Sequence, residues 1–553
     1  MSNLIERIRK SVIGANRVFE TPFGTKPLVY ADYTASGRSL GFIENYIQGH
    51  VLPTYANTHT ETSFTGAQTT HLREQARGII KKAVNASIED NVIFCGSGAT
   101  TGINKMVDIL GLRLPKALDD EYQLSSQIPE QERPVVFIGP YEHHSNELPW
   151  RESLAKVVAI PLDHNGQIDL VTLELELCKY ATRKVKIGSF SAASNVTGVR
   201  SDVSAITALL KRHGALAFWD YAAAGPYVKI DMNGDAPIDA VFISPHKFVG
   251  GPGTPGVLVV KQSVLNNEVP AIVGGGTVMY VTPEGHKFIA DHERREEGGT
   301  PAIVESIRAG LVFKLQQDVG IDTIETHEKR LIDKAMACFN STEQIDVLGD
   351  KNASRLSIFS LRFKHNGKDL HYGFVTALLN DLFGIQVRGG CSCAGPYGHA
   401  LLDMDMTYSR EIEKEIQAGS MILRPGWVRL NFNYFISDEE CDYILQALKL
   451  VAEFGWRLLP YYQWDAIEGV WRFQGHLTKL TTSLTDMNFN EHHVVDDSPE
   501  LPDYAALLGQ AKAILTAPDT HWQTFPLQLS DKAEALRWFV LPQDCCETFA
   551  VVT

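Results

Sequence analysis

The chain has 553 residues, with 51 Lys+Arg against 66 Asp+Glu and a net charge of −15; this acidic balance argues against a nucleic-acid or anionic-membrane partner. No apolar run approaches a membrane span, and Met1-Ser-Asn-Leu-Ile-Glu-Arg-Ile-Arg-Lys10 lacks the apolar block of a signal peptide. The length allows roughly two to four domains, and eight scattered cysteines, too sparse for a disulfide framework, suit a soluble protein in a reducing, cytoplasmic compartment.

Leu4, Ile5, Ile8, Val12 and Ile13 share one face of an amphipathic helix that is expected to pack on a later domain. Val29-Tyr-Ala-Asp-Tyr-Thr-Ala-Ser-Gly-Arg38 reads as a short strand entering a small-residue loop. His59 sits in a Thr-rich turn before a helix over about 68–84; a lone histidine there is more often surface than function, with a place on the substrate side as the other reading. A strand, Val92 to Cys95, ends in Gly-Ser-Gly-Ala-Thr-Thr101 and a helix follows, with Ser97, Thr100 or Thr101 available as caps. Backbone N–H groups at such a helix start favour a phosphate, although similar strand-Gly-helix turns often bind nothing. Residues 115–134, polar and proline-broken, read as a surface loop.

The next strand, near Val135, ends in Glu142-His-His144. An imidazole there suits a planar cofactor or a proton shuttle; an ordinary hydrogen-bonded pair and half of a metal site are the alternatives. Asn195 follows another strand, as a donor to a phenolate oxygen or as a plain turn asparagine. Ala215-Leu-Ala-Phe-Trp-Asp220 is an apolar strand ending in a carboxylate, which burial makes expensive unless a cation such as a protonated pyridine nitrogen meets it. A further strand, Ala240 to Ile243, runs into Ser-Pro-His-Lys247 and a Gly/Pro-rich loop before Val257 to Val260. A solvated loop is the commonest place for a lone lysine, yet partial burial at a strand end lowers its pKa toward a nucleophilic amine. Alternating strands and helices from about 90 to 260 predict an α/β fold whose largely parallel sheet is covered on both faces and binds ligands at its strand ends.

Beyond Gly299-Thr300-Pro301, another cluster of backbone donors, a helical pattern from Gly320 leads into a second domain. Strands are expected there near 355–363 and 428–432, with a helix around 373–383. Between them lies Arg388-Gly-Gly-Cys-Ser-Cys393, where positive charge favours a reactive thiolate; a redox pair is the rival. Zinc would want more than the nearby His399, so no metal is expected. From about 460 the chain turns polar and then helical at about 503–515, a packing or subunit-contact appendage without chemistry of its own.

Together these residues resemble the class V aminotransferase-fold enzymes, in particular the cysteine desulfurase and selenocysteine lyase group, over residues from roughly 28 to 455. The resemblance implies the fold type I architecture of pyridoxal 5'-phosphate (PLP) enzymes. It divides the chain into an N-terminal segment 1–28 on the small domain, a large domain 29–319, a small domain 320–458 and an extension 459–553. It implies that Lys247 carries the cofactor; Ala99, Thr100, Ser244 and His246 hold its phosphate; His143 stacks on its ring; Asn195 meets O3'; and Asp220 pairs with the ring nitrogen. It further implies that Thr300 reaches the phosphate of a neighbouring subunit in a homodimer, that Arg429 binds a substrate carboxylate with Arg388 and His59 nearby, and that Cys393 is the nucleophile. Two departures stand out. Asp220-Tyr-Ala-Ala223 replaces the family's Asp-x-Ala-Gln or His, and Cys391 adds a second thiol. The expectation is removal of sulfur from L-cysteine as a persulfide on Cys393, passed to an acceptor protein. A C–S β-lyase giving pyruvate, or a related class V activity, is the runner-up; a non-catalytic sulfur-carrier or scaffold protein is the third reading.

Overall fold

The architecture is taken from a computed structural model that describes residues 2–58, 60–478, 480, 482–490 and 503–550. A seven-stranded sheet runs in the order Asp90–Cys95, Gly256–Lys261, Ala240–Ile243, Leu216–Asp220, Lys186–Ser191, Val135–Ile138, Lys156–Ala159. Five of these strands form a continuous parallel set. Gly256–Lys261 alone runs antiparallel to both of its neighbours. The connection after Ile243 carries one short turn, Pro245–Lys247, and no crossover helix, so the chain returns antiparallel.

Apart from the part-exposed edge strand Lys156–Ala159, the strands read largely as apolar runs because both faces are buried. Along Ala240–Ile243, Val241 and Ile243 join one core with Trp219, Phe190, Leu173 and Leu210, while Ala240 and Phe242 join another beneath the helix Gly98–Ile109. Each large side chain moved from water into such a core contributes about 1.5–3 kcal/mol. The strand ends Cys95, Ile138, Ser191, Asp220 and Ile243 open at one edge of this sheet, where ligands bind in parallel α/β folds.

Arg388–Gly390, Trp427–Asn431, Ile358–His365 and Ile345–Val347, with Lys368–Leu370 at the side, form an antiparallel five-stranded sheet over a second core. The early strand Val29–Tyr30 pairs in parallel with Ile385–Gln386, which carries the following Asp32 to the junction of the two sheets. The helix Ser2–Ser11 buries Ile5 and Ile8 in the large-sheet core, while Arg9 Nε donates to the Phe435 carbonyl at 2.7 Å. Residues 115–134 depart from the loop expectation: a helix, Lys116–Tyr122, and two short turns form there. Lys116 pairs with Asp120 one turn on, and the helix ends on Gln123 at φ +52°.

The appendage after 460 is built into the second core, with Trp471, Phe473, Leu507, Leu515 and Phe539 buried there. Its Trp471 Nε1 donates to Nδ1 of the buried His371 at 3.1 Å. Trp538 stacks on His371 at 5.5 Å and on Tyr372 at 6.2 Å.

Candidate active site

At the junction of the two sheets lies a cavity of about 260 Å³. Ala99, Thr100, His143, Asn195, Asp220 and Ser244 line it from the large-sheet side, together with His246 and Lys247. Arg388, Cys393 and Arg429 line it from the small-sheet side. Thr300 is an exposed bend outside this cavity, and His59 lies outside the described residues. Cys391 is absent from the lining and packs partly buried against the large core, so the cavity distinguishes the two thiols.

The helix Gly98–Ile109 points its N-terminus into the cavity. Ser97, at its N-cap, makes no side-chain cap bond. Two other hydroxyls satisfy the helix start: Ser244 Oγ, just past a distant strand, accepts the Ala99 N–H at 2.9 Å, and Thr101 Oγ1, one turn into the helix, accepts the Ser97 N–H at 2.9 Å. Gly98 adopts φ +61°, and a Cβ there would stand 2.8 Å from both Ser244 Oγ and His246 Cε1; only glycine leaves that cradle open. Thr100 Oγ1 meets Ser145 Oγ at 2.7 Å, and Ser145 Oγ meets His143 Nδ1 at 3.0 Å. The Ser145 N–H also donates to His143 Nδ1, at 3.1 Å. A nitrogen that accepts a backbone N–H carries no proton, so neutral His143 is the Nε2–H tautomer. Burial, aided by Lys247, His144 and Arg429, pushes its pKa down to about 3, and burial with Lys247 pushes His246 down to about 4.

Asp220 is buried with its Oδ1 accepting the Ala222 N–H at 2.8 Å. Burial raises its pKa against that bond and the attraction of Lys247. Lys247 is brought down to about 8, because burial outweighs the pull of Asp220, with Arg429 and Arg388 adding repulsion. The lysine therefore reaches its amine form far more readily than a free one.

Arg388 and Arg429 face each other in antiparallel register. A residue that the sequence reading passed over, Asp32, bridges them: Oδ2 meets Arg388 Nε at 3.0 Å and Oδ1 meets Arg429 Nη2 at 3.0 Å. Its only signal in the sequence was a carboxylate at the end of a short buried strand, the same signal that drew notice to Asp220. Glu142 was likewise passed over beside its histidine. Buried under the strand ends, its carboxylate accepts from Gly139 and Ser191 N–H groups, Ser191 Oγ and Asn146 Nδ2; burial pushes it up to about 7.

The donor set fits a phosphorylated pyridine aldehyde. Backbone N–H groups, Ser244 and the Gly98 cradle suit a phosphate, Asp220 suits a protonated ring nitrogen, and Lys247 suits an aldehyde carbon. Among the described residues, Thr34 Oγ1, Ser392 Oγ and Arg429 Nε are buried without a protein hydrogen-bond partner, and all three residues line the cavity. No group of three His, Cys, Asp or Glu side chains among the described residues is arranged to hold a metal ion, and all eight cysteines are free thiols.

This fold and site define a PLP-dependent enzyme of fold type I. A profile described as "Aminotransferase class-V" matches residues 29–443, and the chain belongs to that family. It is 30% identical over 388 residues to a "Probable cysteine desulfurase" of Halalkalibacterium halodurans, covering 68% of this chain and 87% of the relative. A "Probable cysteine desulfurase" of Staphylococcus epidermidis is 26% identical over 450 residues, covering 80% of this chain and 97% of its own. The apo structure of a cysteine desulfurase from Thermococcus onnurineus superposes with a TM-score of 0.65 at 24% identity, over 81% of this chain and 98% of that one, a likeness of fold.

Proposed function

We propose that the enzyme is a cysteine desulfurase that takes sulfur from L-cysteine and leaves it as a persulfide on Cys393. The observation that carries this reading is the meeting of Lys247, Asp220, Arg429 and Cys393 around one cavity. PLP, when bound, supplies an electron sink for the Cα carbanion. Asp220 would keep the ring nitrogen of the cofactor protonated, Ala99, Thr100, Ser244 and His246 would hold its phosphate, and Asn195 would donate to its ring oxygen. Arg429 offers its unpartnered Nε to the substrate carboxylate, and Arg388 adds positive charge beside it. Lys247, released as the amine, takes the Cα proton. Cys393 attacks the substrate sulfur as the thiolate: the Cys393 S–S bond forms, the substrate Cβ–S bond breaks, and its electron pair is protonated at Cβ to give alanine. In this reading neutral His143 exchanges the proton of the substrate sulfur.

A homodimer with shared sites is part of this reading. It is supported by the exposed apolar hairpin Val278–Val281 and His286–Phe288, with Met279, Tyr280 and Val281 outward. The Thr300 segment lies beside that surface, Gly299 N–H donating to the Gly275 carbonyl at 2.8 Å. We also read 29–319 and 320–458 as separate domains, supported by the seven-stranded sheet lying within the first range and the five-stranded antiparallel sheet within the second. Eight free thiols favour a reducing, cytoplasmic setting, and the exposed Cys393 suits hand-over to an acceptor protein.

The deciding experiment mixes PLP-loaded protein with L-cysteine and quantifies alanine and pyruvate together. Alanine with protein-bound sulfur is expected, and Lys247→Ala should abolish it. Pyruvate instead would transfer the assignment to a C–S lyase, a reading favoured by Ala223 lining the cavity at the position where the family pattern has Gln or His.

A further inference from the structure

Histidine 144, the second of the pair at the Val135–Ile138 strand tip, has no role in the chemistry above, yet it is joined twice to the thiol loop. Its backbone N–H donates to the Cys393 carbonyl at 2.8 Å, and its Nε2 accepts the Gly395 N–H at 3.0 Å. Asn195 Nδ2 donates to the Ser392 carbonyl at 2.8 Å. Ser392, Cys393 and Gly395 are thus each tied to the large-sheet body, although their chain leaves the small sheet at Gly390. The next turn is anchored in the same body, with Ala394 and Tyr397 buried in the large core and Tyr397 OH 3.2 Å from Thr197 Oγ1.

Between these ties Ser392 and Cys393 hold φ +55° and +56°. Consecutive left-handed residues that are not glycine are strained and persist only where the surroundings impose them. The imposing bonds include those of His144, whose Nε2, by accepting an N–H, fixes the proton on Nδ1 in its neutral form. Its neighbour His143 is fixed in the opposite tautomer.

We infer that His144 is a positioning residue that latches the strained Cys393 turn against the cavity, so that the thiol faces the substrate sulfur. The inference rests on the desulfurase reading. Without the latch the turn relaxes out of the left-handed region and swings the sulfur away, while the carboxylate on Arg429 and the cofactor groups stay in place.

The test compares His144→Leu, which keeps bulk without an acceptor, with His144→Gln, whose Oε1 replaces Nε2. In the leucine variant, backbone hydrogen exchange at Gly395 should rise and kcat for alanine formation should fall, each about tenfold, with KM and the absorbance of bound cofactor unchanged. The glutamine variant should recover exchange protection and most of kcat. Equal behaviour of the two variants, or unaltered exchange at Gly395 in the leucine variant, overturns the latch. Should the leucine variant not fold, His144→Asn, polar but too short to reach Gly395, takes its place with the same outcomes. Hydrogen exchange reports the latch even if the wild-type enzyme makes no alanine, so the two readings fail separately.

Discussion

Lys247 provides a quantitative check on the site. Its pKa stands at about 8 rather than 10.5, which multiplies the neutral amine at pH 7 by roughly 300, each tenfold corresponding to 1.36 kcal/mol. The sign follows from burial: the site disfavours the ammonium, and Asp220, the largest opposing influence, holds the value up. The rate at which cofactor-free protein joins its aldehyde, followed by visible absorbance, should therefore rise with pH around a midpoint of about 8. Pyridoxal without its phosphate separates the amine from the phosphate, which itself titrates near about 6. Asp220→Asn removes the favourable charge and should move the midpoint lower still. Protonated lysine is the costly form in the fold, so the cofactor-free protein gains stability as pH rises from about 8 toward 10.5. A midpoint at or above about 10, that of an ordinary lysine, or an upward move in Asp220→Asn, would refute the account.

Asp32→Asn should destabilise the protein by about 3 kcal/mol, because Arg429 is buried and loses its charged partner, with the half-exposed Arg388 contributing little; an unchanged denaturation midpoint would show that the bridge is not structural. Trp538→Ala should cost about 2–3 kcal/mol through lost stacking and packing. It should also loosen amides of the small sheet, measured by hydrogen exchange, whereas separate melting of the appendage alone would remove it from that core.

Most of the large sheet was legible because its inner strands are apolar runs stopping at polar tips, and the tips of parallel strands share one edge; the short edge strand Lys156–Ala159 carried no such signal. Lys247, Asp220, His143 and Asn195 could be gathered from sequence on that argument alone, before the chain closed. The antiparallel Gly256–Lys261 strand was not separable from its parallel neighbours by composition; the short helix-free connection that reverses it was the available sign. Of the caps read at this helix start, Thr101 does accept the Ser97 N–H, whereas the Ala99 N–H is met by Ser244 across 145 positions of sequence, a tertiary cap that no local pattern shows. Asp32 and His144 escaped for a related reason. Each lay in a visible pattern, a carboxylate at a strand end and a histidine pair at a strand tip, but its partners became visible only when the small sheet brought Arg388, Arg429 and the Cys393 turn against the large one.

That junction also explains the charge state of the cavity. His143 and His246 are held near about 3 and 4, so both remain neutral across the physiological range and leave the arginines and Lys247 as the cationic groups. Asp32 engages both arginines while leaving Arg429 Nε unpartnered. It fixes the direction of the guanidinium without filling it. A neutral residue at position 32 would leave two facing guanidiniums repelling each other across one register pair. The carboxylate is therefore what allows two cations to share one small wall, with one of them held in a fixed orientation.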